Sequence, residues 1–168
     1  MTTKYKTQIS IIAATLTLGL TACNNHSNEN MKTDNKNLEA IFPKGEKGLG
    51  ENFIGNAYNT GLVAADSIFT TVVGNVYFEP GARSNWHSHP SGQILVITDG
   101  VGYHQIEGKP VEIIKKGDVV KCPPKIRHWH GASAEVGLQQ LYIVPNTEKG
   151  VVDWNEAVTE EQYSIAKK

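Results

Sequence analysis

The stretch from Trp86 to Gln93 reads WHSHPSGQ: two histidines one residue apart, a turn, and then a glutamine. A second histidine pair, His128 and His130, stands in RHWHG after Pro123-Pro124. Side chains at i and i+2 of a strand leave it on one face, so each pair can converge on a single point. Gln93 opens the run that follows Pro90-Ser91-Gly92 and can reach back to the first pair. One such histidine alone reads as a satisfied polar residue. Five of the six histidines gathered between His87 and His130 pose a metal site instead, since neutral imidazole and amide oxygen both offer lone pairs to a divalent ion.

Neighbouring residues carry less. His104, in VGYHQIE, faces opposite to Tyr103 and Gln105 in an alternating strand, and it is expected to be exposed. Arg83 and Arg127 flank the two blocks, either as anion-binding groups or, more commonly, as solvated or paired rim charges. Trp86 and Trp129 adjoin the histidines in sequence, so in a strand they point away from them and are expected to pack. Cys122, between Lys121 and Pro123 in an apolar stretch, reads as a small buried hydrophobe rather than a nucleophile.

Strands must hold these residues. The runs Phe69–Phe78, Gln93–Asp99, Val101–Glu107, Val111–Ile114, Asp118–Cys122 and Gly137–Val144 are rich in valine and isoleucine. Turn signals separate them at Pro80-Gly81, Asp99-Gly100, Glu107-Gly108-Lys109 and Lys116-Gly117-Asp118. Short strands spaced by about ten residues predict an all-β sandwich or barrel, and no helix long enough to link parallel strands is visible. Near the C-terminus Thr159, with Gln162 three residues on, has the form of a capping box. It predicts a short helix whose face is Trp154, Val158 and Tyr163.

The N-terminal part reads differently. Lys4 and Lys6 precede an apolar run that ends in Leu20-Thr21-Ala22-Cys23, the layout of a bacterial lipoprotein signal peptide over residues 1–22 with Cys23 lipidated. The alternative, a membrane-spanning anchor, fails on length: Ile9–Ala22 reaches about 21 Å as a helix against roughly 30 Å of bilayer core. Residues 24–37 hold six asparagines and one apolar residue, Met31, too little to offset the entropy of ordering, so residues 23–37 are expected to be a flexible tether. Residues 38–168 then form one domain. The chain is expected to be exported and held at a bacterial membrane by its lipid. With 16 basic and 17 acidic side chains there is no basic excess, which argues against nucleic acid as a partner. If Cys23 is acylated, Cys122 has no mate, and the core alone must hold the domain.

The two histidine blocks resemble the cupin family. Gly81, five residues, His87-Ser88-His89, three residues, Gln93, six residues and Gly100 follow its first motif, with glutamine for the usual glutamate. Gly117, five residues, Pro123, four residues and His128 follow the second, with Lys125 where glycine is common. The resemblance implies a single-domain jelly-roll barrel, the double-stranded β-helix, with its core over residues 69–145. It also implies a metal held by His87, His89, Gln93 and His128. FEPGARSNWHSHPSGQ, KKGDVVKCPPKIRHWHGAS and VVDWNEAVTEEQY together are similar to small manganese-dependent cupins related to bacterial hydroxynitrile lyases. This implies manganese, with iron, nickel, zinc or copper as alternatives, and a homodimer paired through outer β faces.

That ligand set is neutral, so the ion keeps its full charge, where the usual glutamate would lower it; open coordination positions then make a strong Lewis acid. His130, on one strand face with His128, is expected either as the base that moves a proton near pH 7 or as a group orienting a ligand. Lyases of this type carry a further active-site histidine twelve residues past the last ligand. Here that place is Gln140, which donates a hydrogen bond but takes up no proton at neutral pH, and cyanohydrin cleavage is expected to be weaker for it. The expected function is a metal-dependent enzyme acting on a small-molecule substrate by Lewis-acid catalysis, hydroxynitrile lyase-like. The alternatives are an iron(II) dioxygenase, which would consume oxygen, and a non-catalytic ligand-binding cupin, which would turn nothing over.

Overall fold

Valine, isoleucine, threonine and aromatic side chains fit a pleated, half-buried surface, and the chain spends them on short strands. The computed structural model describes residues 41–48 and 50–165; the expected leader, Cys23 and tether lie outside the described residues. In chain order the strands are β1 (Glu46–Lys47), β2 (Phe53–Ile54), β3 (Ala57–Val63), β4 (Val72–Phe78), β5 (Arg83–Ser84), β6 (His87–Ser88), β7 (Gln93–Ile106), β8 (Glu112–Lys115), β9 (Val119–Cys122), β10 (His128–Ala132), β11 (Leu138–Val144) and β12 (Asp153–Trp154). A 3-10 turn, Thr147–Lys149, precedes β12, and α1 (Glu160–Ile165) follows it.

The strands make one curled antiparallel sheet in the order β1-β3-β4-β11-β7-β10-β5-β2, with β8 and β9 also on β7 and β6 between β10 and β12. This is the all-β fold expected, but β7 corrects one detail. Asp99-Gly100 does not end a strand: β7 runs unbroken for 14 residues. Opposite it, β11 steps from Gln139↔Asp99 to Gln140↔Ile97, leaving Thr98 as an extra, bulged residue. The extra residue exchanges the faces of the strand. Before it Leu95 and Ile97 join the core; after it Gly102, His104 and Ile106 stand opposite Ala132, His130 and His128. Gly100 itself has φ +84°, and an added Cβ would collide with the Gly137 carbonyl.

Two clusters pack on this frame. Inside the curl lie Phe78, Leu95, Ile97 and Leu138, all fully buried, each worth roughly 1.5–3 kcal/mol of burial. On the other face of β7 and β10, Trp86, Tyr103 and Trp129 pack with Val158 and Tyr163, so the two tryptophans pack as expected. α1 is anchored there by the expected capping box: Thr159 N donates to Gln162 Oε1 at 2.9 Å and Gln162 N to Thr159 Oγ1 at 3.2 Å. Trp154 is a correction. It does not lie on the helix face; it pairs with His87 in the β12–β6 ladder.

Candidate metal centre

The strand register gathers the donors. His128 of β10 stands opposite His87 of β6, His89 follows β6 directly, and Gln93 is the first residue of β7. Ring centroids lie 4.4 Å apart for His87–His128, 5.2 Å for His87–His89 and 5.5 Å for His89–His128. His130 joins them at 5.1 Å from the His87 ring. One ring nitrogen from each of His87, His128 and His130 lies within 4.8 Å of the other two, a cluster that could hold a metal ion. His89 and Gln93 border it.

Backbone carbonyls orient these rings. Nδ1 donates to the Asn85 carbonyl from His87 at 2.9 Å, to Val151 from His89 at 2.6 Å and to Ile126 from His128 at 3.0 Å. A carbonyl only accepts, so the proton of each neutral ring sits on Nδ1 and Nε2 carries the lone pair. His89 Nε2 is buried without a hydrogen bond. His128 Nε2 meets Gln93 Oε1 at 3.3 Å, two acceptors facing each other unless a cation stands between them. Burial pushes every one of these histidines below its ordinary pKa, His128 to about 3, and neighbouring imidazoles add to the effect at His87, His128 and His130. His87, His89 and His128 are therefore neutral and open at Nε2, which suits a divalent transition metal.

His130 and Gln140, considered separately from the sequence, lie side by side. His130 takes the side-chain amide nitrogen of Gln140 at 2.8 Å from its Nδ1, and its Nε2 is buried without a hydrogen bond. Gln140 stands behind His130, fully buried. In front of the histidines a cavity of about 430 Å³ opens past Phe53, Val72, Val76, Tyr142, Val144 and Trp154. Phe53 and Trp154 meet edge to face at 5.6 Å, and Trp154 lies 5.0 Å from the His87 ring. The sequence reading missed these wall residues. Alternation along Gly137–Val144 was the available signal for Tyr142 and Val144, whereas the Val151 carbonyl that orients His89 has no side-chain signal at all.

His104 corrects an expectation. It is 1% exposed, because the Thr98 bulge turns it inward beside His128, with ring centroids 5.9 Å apart. Its Nε2 lies 3.5 Å from Cys122 Sγ and its Nδ1 3.6 Å from a Glu112 carboxylate oxygen. Cys122 is buried, as expected, and burial lifts its thiol to about 12. The arginines are paired rather than open to an anion. Arg83 bonds Glu160 at 2.6 Å and the Val158 carbonyl, fastening α1, and Arg127 bonds Glu107 and Glu156.

Comparison with known proteins agrees with this fold. Residues 74–143 match a family described as Cupin domain. A protein of Granulicella tundricola named (R)-mandelonitrile lyase is 46% identical over 110 residues, 62% of this chain and 84% of its own. The crystal structure of a cupin-like protein from Thermotoga maritima superposes with a TM-score of 0.73 at 47% identity, covering 74% of this chain and 95% of that one. A Klebsiella pneumoniae protein with a double-stranded β-helix domain shares the fold at a TM-score of 0.55 and 20% identity, over 69% of this chain and 96% of its own.

Proposed function

Because this chain belongs to the cupin family, we propose that its histidine cluster holds a divalent transition metal, manganese by preference, and uses it on a small uncharged substrate. The observation that carries this reading is the gathering of one ring nitrogen from each of His87, His128 and His130 within 4.8 Å, with Gln93 Oε1 facing His128 Nε2 at 3.3 Å. In this reading His87, His89, Gln93 and His128 hold the ion. When bound, it supplies a Lewis acid that polarises an oxygen-bearing group.

The rest is done by the chain. Val72, Val76 and Val144 give the cavity an apolar wall that takes the body of the substrate and displaces water. Phe53 and Trp154 offer aromatic faces at the same opening. The charged side chains lining the cavity, Glu46 and Lys47, are both exposed, so no buried side chain there offers an ionic substrate a counter-charge, and the ion would be the one charge within. His130 presents Nε2 to the reacting group. The name of the Granulicella relative supports a carbon–carbon lyase reaction of the hydroxynitrile lyase kind. A lipid-anchored, exported location and a homodimer belong to the same proposal.

Purified protein loaded with manganese and freed of loose metal is expected to retain the ion and to form or split aromatic cyanohydrins. Metal retention that is the same in wild type and in a His87→Ala/His128→Ala variant would sink the reading, whatever the activity.

A further inference from the structure

Gln140 sets His130 apart from the other histidines. His87, His89 and His128 each give Nδ1 to a backbone carbonyl, and so hold their lone pair on Nε2. His130 instead turns Nδ1 to the amide nitrogen of Gln140 at 2.8 Å. An amide nitrogen only donates, so Nδ1 must accept, and the single proton of a neutral ring is then on Nε2. Across the strands Gln140 stands opposite Val76 on β4 and Ile97 on β7, neither of which has a polar side chain. Both partners are buried, Gln140 at 0% and His130 at 5% exposure, which leaves little room for the ring to turn over.

We infer that Gln140 is a positioning residue that holds His130 as its Nε2–H tautomer, the reverse of its neighbours, so that His130 faces the cavity as a hydrogen-bond donor and stays outside the metal shell. Of the three ring nitrogens gathered within 4.8 Å, this leaves two with lone pairs for an ion, and His89 and Gln93 supply the others. The inference deepens the proposed function and rests on it for its chemical consequence. A resting donor stabilises an oxygen that gains negative charge, as a carbonyl oxygen does during addition, but it cannot take a proton from a hydroxyl until it has lost its own. The substrate class it fits is a carbonyl compound undergoing addition, or the alcohol that this addition forms when the reaction runs back, with the hydroxyl proton exchanged through a group other than His130.

Nitrogen-15 NMR with long-range couplings to the ring protons reads the tautomer of each histidine directly. In metal-free wild-type protein His130 is expected to show a protonated, pyrrole-type Nε2 and a pyridine-type Nδ1, with the two types exchanged in His87, His89 and His128. Gln140→Glu places a carboxylate acceptor against Nδ1 and is expected to move the proton there, exchanging the two His130 shifts; Gln140→Leu is expected to leave a mixture. A wild-type His130 that shares the Nδ1–H form of its neighbours overturns the inference, and so does a Gln140→Leu spectrum identical to wild type at His130. Zinc loading then tests the other half: the three neighbouring Nε2 shifts should move while His130 Nε2 stays pyrrole-type. If zinc moves none of them, the metal reading fails and the tautomer result still stands by itself.

Discussion

At Gln93 the chain places an amide where a carboxylate would attract a cation more strongly. Gln93→Glu is expected to hold a divalent ion more tightly, on the order of tenfold, since a carboxylate adds a charge–charge attraction that a neutral amide lacks. It should also lower turnover, because the ion loses electrophilic character; competition against a chelator and a kcat measurement check the two halves. Cys122 supports a second expectation. With its thiol lifted to about 12 by burial, it should resist a disulfide reagent in the native protein and react fully in denaturant, as followed by thiol titration. The two histidine pairs and Gln93 were legible because i, i+2 spacing and a short turn constrain them locally. His104 was not, because its face depends on a bulge at Thr98 six residues earlier, and a bulge shows itself only against a partner strand.

Among the elements, β7 and the turn before β10 each hold a residue at positive φ, Gly100 and Lys125. Gly100→Ala puts a side chain at φ +84° and into the Gly137 carbonyl, and should destabilise by about 2–4 kcal/mol in urea unfolding. Lys125 lies at φ +60° and donates its backbone N–H to the His89 carbonyl at 2.8 Å. Lys125→Gly keeps that bond, relieves the left-handed conformation and should stabilise by about 1 kcal/mol, read as a higher urea midpoint. Lys125 stands where the family's motif commonly has glycine, which fits this conformation. Most strands were also legible from their valine and isoleucine content. Asp99-Gly100 misled because a positive-φ glycine marks a turn and a bulge equally well. Trp154 was assigned to α1 because an aromatic near a helix start resembles a helix face; its partner His87 is distant in sequence. Strands of two residues, such as β5 and β6, have no periodicity to read.

For the whole domain, the buried histidines make stability depend on pH. Their folded-state pKa values lie below the ordinary 6.5, so the unfolded chain binds protons first as pH falls. Metal-free protein should therefore hold full stability above about pH 6.5 and lose it steadily below, down to the folded value of about 3 at His128. Urea midpoints between pH 8 and pH 4 check the slope; a flat profile would contradict it. The bent strand β7 has one further consequence. It pairs with β8, β9, β10 and β11 and joins Gln93 to His128 across 35 residues, so the donors meet only once distant parts of the chain have closed on one another. Such non-local topologies fold late and all together, and no partly built fragment offers the set. An ion bound by this set would thus be acquired by a finished fold, and the metal supply where folding is completed would bear on its identity alongside ligand preference.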